Sequence, residues 1–138
     1  MAEEPTTPDL VELVNRVKEA ANRRDFDAVE SSYAPDAVLR AAEGGTFEGA
    51  AAIRGLFEEM ASPHEEFHAE AEEITDLGHG VTLGVIMVTG RPVGSIREVR
   101  FRFASVAIWT NGVIKQEMRN TSIEEARAAA ERLAKERG

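Results

Sequence analysis

Two strand-like arms joined by Asn111-Gly112, "VRFRFASVAIWTNGVIKQEMRN" from Val99 to Asn120, hold the residues best placed to do chemistry in this chain. A reacting or ligand-orienting side chain must point into a shielded interior, and alternation along a strand sorts residues onto two faces. In the first arm Val99, Phe101, Phe103, Ser105, Ala107 and Trp109 share one face, aromatic toward its ends and small in its middle. Large side chains around small ones leave a concavity, so this face reads as the inner wall of a pocket. In the second arm Ile114, Gln116, Met118 and Asn120 form the more apolar set and are assigned to the same inner face. Ser105, Gln116 and Asn120 would orient the polar groups of a ligand, because they exchange hydrogen bonds without titrating near neutrality. Tyr33, Phe57, Met60, Phe101, Phe103, Trp109 and Met118 would enclose its apolar body, with Ala107 leaving room. On this reading the hairpin presents no inward acid or base. One inserted residue would exchange the two faces beyond it.

The opposite face of the first arm carries Arg100, Arg102, Ala104, Val106 and Ile108, half charged and half apolar. That mixture fits the contact surface of a homodimer, or a sheet packed on both sides within one chain. His64 and His68 stand four apart, but Pro63 precedes them and "EFHAEAEE" alternates like a strand, so no metal site is expected. Asp36, Glu43, Glu48 and His68 are the acid or base candidates if the chain is an enzyme; their ordinary role is at turns and on the surface. No phosphate loop, nucleophile elbow or cofactor motif is present, and no cofactor is expected.

The 138 residues are the size of one domain, 43% hydrophobic and 30% charged, with a net charge of -9. Such a surface repels phosphate backbones and anionic lipid, so neither nucleic acid nor membrane is an expected partner. The absence of cysteine excludes thiol chemistry and disulfides. The acidic start "MAEEPTTPDL" carries no apolar leader, and the expected location is the cytoplasm.

Residues 1–6 read as a tail before a single domain over residues 7–138. Thr7-Pro8 reads as a cap and first turn of a helix with Leu10, Leu13, Val14, Val17 and Ala21 on one stripe. A short helix follows from Asp25 with Phe26, Val29 and Tyr33 inward, then "AVLRA" as a strand. A third helix carries Ile53, Leu56, Phe57 and Met60; further strands fall in "EFHAEAEEITD", "GVTLGVIMVTG" and the two arms. Ser122 and Glu125 have capping-box spacing at the start of a last helix. Helices first and strands after predict an α+β fold.

Asp25-Phe26, Tyr33-Ala34-Pro35-Asp36-Ala37, Phe47-Glu48-Gly49 with Ile53, and Asn111-Gly112 followed by Ile114 occur in an order and spacing that resembles the SnoaL-like branch of the nuclear transport factor 2-like superfamily. The likeness covers about residues 8–128. It implies a curved antiparallel sheet forming a cone-shaped barrel, with three N-terminal helices, a C-terminal helix and a deep apolar pocket, often in a homodimer. Members include polyketide cyclases, ketosteroid isomerases, limonene epoxide hydrolases and non-catalytic binding domains. The histidine of the cyclases falls on Ser105 and their aspartate near Asn120 to Ser122; the tyrosine of the isomerases falls on Val17 and their base on Ala41. None of those positions carries the catalytic group. The expected function is therefore binding of a small hydrophobic molecule. An isomerase, cyclase or hydrolase is the alternative, and a protein-interaction domain with a filled interior the third possibility.

Overall fold

The computed structural model describes residues 9–138. The expected tail and the Thr7-Pro8 cap lie outside the described residues. Helix α1 (Leu10–Asn22) is capped by Asp9, whose side chain accepts from the Glu12 backbone N–H at 3.2 Å. Asp25 caps α2 (Phe26–Ser31), which ends before Tyr33. Tyr33 instead opens strand β1 (Tyr33–Arg40), so the aromatic expected on a helix stands on the sheet. A strand not read from the sequence, β2 (Thr46–Glu48), precedes α3 (Ala50–Ala61). The long strands β3 (His64–Gly78), β4 (Val81–Pro92), β5 (Val99–Thr110) and β6 (Val113–Asn120) follow, then α4 (Ile123–Arg137).

The six strands form one α+β sheet in the order β2-β1-β6-β5-β4-β3. The sheet is mixed rather than wholly antiparallel, because β1 runs parallel to β6. It is also open, with β2 and β3 as its edges. Asn111 and Gly112 both adopt positive φ, 52° and 81°, the geometry of the tight turn their sequence predicts.

Helices cover both faces. The α1 stripe of Leu10, Leu13, Val14 and Val17 and the α3 residues Ile53, Leu56 and Phe57 pack over the face that carries Ala107, Trp109 and Ile114. On the other face Ala126, Ala130 and Ala134 of α4, one turn apart, bury Val81, Leu83, Ala104 and Val106. Small alanines let the helix lie close to the strands. Among the described residues no helix is long and apolar enough to cross a membrane.

Candidate functional site

Strand β6 leaves regular pairing immediately after the turn. Trp109 lies opposite Ile114, but Ile108 lies opposite Gln116, so Lys115 is an extra residue on the β6 side. Its ammonium is drawn outward to the Asp36 carboxylate on β1. Beyond this bulge every β6 side chain changes face relative to simple alternation from Ile114. Ala107 faces Glu117 and Ser105 faces Arg119, while Gln116, Met118 and Asn120 pair with Ile108, Val106 and Ala104 on the outer face.

The inner face therefore carries a carboxylate and a guanidinium that alternation alone had assigned outward. Glu117 is 4% exposed at its side chain and Arg119 9%. One Glu117 oxygen accepts from the Tyr33 hydroxyl; the other accepts from Ser105 Oγ and Arg119 Nε, both at 2.9 Å. Three donors from β1, β5 and β6 thus converge on one carboxylate. The Arg119 guanidinium lies 5.0 Å from the Phe57 ring and 4.9 Å from that of Phe103, held between two aromatic faces. Its Nη1 reaches Met60 Sδ at 3.5 Å, a weak acceptor. Burial works to lower the Arg119 pKa, but Glu117 and then Tyr33 outweigh it, and the net direction is upward. Burial first, and the Glu117 charge second, push the Tyr33 phenol well above its usual range.

Around this cluster lies a cavity of about 90 Å³ between the concave sheet and the helices. Tyr33, Phe57, Met60, Phe103, Ser105, Ala107 and Trp109 line it, joined by Val14, Val17, Gly84 and Ile86. Trp109 is anchored by its indole N–H, which donates to Thr82 Oγ1 at 2.9 Å. Phe101 is not in the lining; it lies further out on β5 and is 42% exposed. Gln116 and Met118 line a separate outer groove with Val106 and Ile108. Asn120 braces the start of α4, its Oδ1 accepting from the Ser122 N–H at 2.8 Å. The corrections at Gln116, Met118 and Asn120 share one cause, the extra residue at Lys115.

The outer-face group divides. Ala104 and Val106 are buried under α4 within the same chain. Ile108 borders the outer groove, while Arg100 and Arg102 are exposed and pair with Glu98 and Glu72. Asp36, Glu43, Glu48 and His68 are all exposed and outside the cavity lining. Among the described residues no cluster of three His, Asp or Glu side chains assembles for a metal. The one legible signal for Glu117 and Arg119 was their spacing: opposite charges two apart on a strand share a face wherever that face points.

A concave mixed sheet over three N-terminal helices, with a small apolar cavity and one buried ion pair, defines a small-pocket α+β domain. The chain belongs to the SnoaL-like domain family, whose model matches residues 14–117. Tyr33, Ser105 and Glu117 fall inside that match and Arg119 just beyond it. No curated protein matches the chain. Among solved structures it is similar to a Catenulispora acidiphila protein with a ketosteroid isomerase-like fold, in complex with trimethylamine (17% identity, 91% of this chain and 94% of that one, TM-score 0.72). It is similar to an LEH-like epoxide hydrolase from M. tuberculosis (17% identity, 93% and 89% covered, TM-score 0.72). A proposed polyketide cyclase of Sinorhizobium meliloti is 27% identical over 79% of this chain and 94% of that one, with a TM-score of 0.66. The two likenesses at 17% identity speak to the fold alone, and one fold hosts many chemistries.

Proposed function

We propose that the domain binds a small, largely apolar molecule in the cavity, with Arg119 as the polar anchor. The observation that carries this reading is the buried Arg119, clamped by Phe57 and Phe103 at the edge of a largely apolar space. Glu117 holds the guanidinium in place and Tyr33 and Ser105 hold Glu117, so the anchor is preorganised before a ligand arrives. The space exists because Gly84, Ser105 and Ala107 are small. A Cβ at Gly84 would meet Ile86 Cδ1 at 3.6 Å and Val14 Cγ1 at 4.0 Å, so a larger side chain there extends into the void. The test is a thermal-shift panel of one-ring and branched compounds against the wild type and Gly84→Val. Hits that lose their shift in the variant support the reading; hits unaffected by it contradict a ligand in this cavity.

One observation favours a catalytic reading, the inward carboxylate of Glu117. Its two oxygens already accept from Tyr33, Ser105 and Arg119, which leaves little acceptor capacity free for a substrate proton. Turnover of any hit that disappears in Glu117→Gln would support catalysis nonetheless.

A homodimer is a separate proposal and rests on the outer face that α4 leaves bare. Glu66, Glu70 and Glu72 line its β3 side and Arg91, Arg100 and Arg102 its β4–β5 side, all around one shallow groove. Arg91, Arg100 and Arg102 pair with Glu66, Glu98 and Glu72 within the chain, so a partner copy would exchange these pairs across a two-fold axis. Light scattering across salt concentrations tests it, with dissociation expected at high salt.

A further inference from the structure

Resting on the binding reading above, we propose that the cavity selects an uncharged molecule with one hydrogen-bond acceptor, such as a small cyclic ketone, over a carboxylate or an amine of the same size. The charged groups lining the cavity are Lys18, Glu117 and Arg119, and each already has a counter-charge. Glu117 and Arg119 meet at 2.9 Å in the interior. At the rim, Lys18 is 19% exposed at its side chain and its ammonium lies 3.5 Å from Glu19. The Tyr33 phenol is neutral. No net charge is left over to offset an ionised ligand, which would lose its water for no compensating partner.

The same geometry says where the acceptor goes. Arg119 Nε is committed to Glu117 and the Tyr33 hydroxyl also bonds the guanidinium, while Nη1 donates to the Met60 sulfur at 3.5 Å. A carbonyl oxygen is a stronger acceptor than a thioether and can take that N–H without disturbing the ion pair. The body of the molecule then lies over Gly84 and its cross-strand neighbour Ser105, beneath Val14 of α1. At about 90 Å³ the space suits a single small ring. Drug-sized ligands belong to pockets of roughly 300–1,000 Å³.

The chain has one tryptophan, so its indole N–H gives a single, assignable resonance at the cavity wall. Titrating the wild-type protein at pH 7 with cyclopentanone, cyclopentanecarboxylate and cyclopentylamine tests the charge selection directly. A saturable shift with cyclopentanone, at a Kd at least about tenfold below that of either ion, is the expected result. A carboxylate or amine that binds as tightly as the ketone overturns the selection rule and leaves the binding reading standing. No saturable shift with any of the three overturns both. Glu117→Gln removes the counter-charge of Arg119, so the preference should turn toward the carboxylate. If that variant does not fold, Arg119→Gln supplies the mirror case and should turn it toward the amine. An unchanged order of preference in whichever variant folds also overturns the proposal.

Discussion

Replacing Arg119 by methionine removes one half of a buried ion pair while keeping a side chain of similar length. Glu117, only 4% exposed, is left with Tyr33 and Ser105 but no counter-charge. Breaking a buried pair in this way costs about 3–5 kcal/mol. Loss of the stacking on Phe57 and Phe103 adds about 1 kcal/mol. The expected destabilisation is therefore about 4–6 kcal/mol. Urea denaturation of wild type and variant reads this directly. Arg119→Met combined with Glu117→Gln should recover more than half of the loss. A deficit below about 1 kcal/mol, or no recovery in the double variant, would refute the claim that Glu117 is buried and charge-compensated by Arg119.

Three further outcomes follow from other contacts. Thr82→Val keeps the shape of a side chain that is 1% exposed but removes the acceptor of the Trp109 indole N–H. It should cost about 1–3 kcal/mol in urea denaturation, and a change near zero would contradict that hydrogen bond. Hydrogen bonds from Arg127, and then from Thr75, hold the Glu73 carboxyl down at about 2. Its contribution is present above the usual carboxylate range and is lost as pH falls toward 2; with both partners partly exposed it is worth no more than about 1 kcal/mol. Arg127→Met should thus lose up to that amount at pH 7 and nothing near pH 2, and an equal loss at both would contradict the ion pair. Asp9→Ala should cost about 1 kcal/mol by uncapping α1, with a smaller helical signal as the readout.

The fold was largely legible because its signals are local. Helical spacing marked α1 and α3, Asn111-Gly112 marked the hairpin, and Ser122 marked the start of α4. The first wall of the site was legible for the same reason: β5 alternates without interruption, so Phe103, Ser105, Ala107 and Trp109 share a face as the residue order implies. The second wall was not. Whether Glu117 or Gln116 faces inward depends on one extra residue in β6, and a bulge is fixed by long-range pairing, here with β1 as well as β5. A glutamate and an arginine also read as solvated in any composition-based view, since their burial requires partners that only the tertiary fold brings together. Tyr33 was misplaced for a related reason, because the end of α2 is set by strand pairing with Ile114.

The central claim is that the space above Gly84 accepts a small molecule whose polar end meets Arg119. Its most direct test follows the Trp109 indole resonance while cyclopentanone is added to wild type and to Gly84→Val. The account predicts a saturable shift in the wild type and none in the variant, with both proteins folded. A shift of equal size and midpoint in both, or no saturable shift in the wild type, would contradict it.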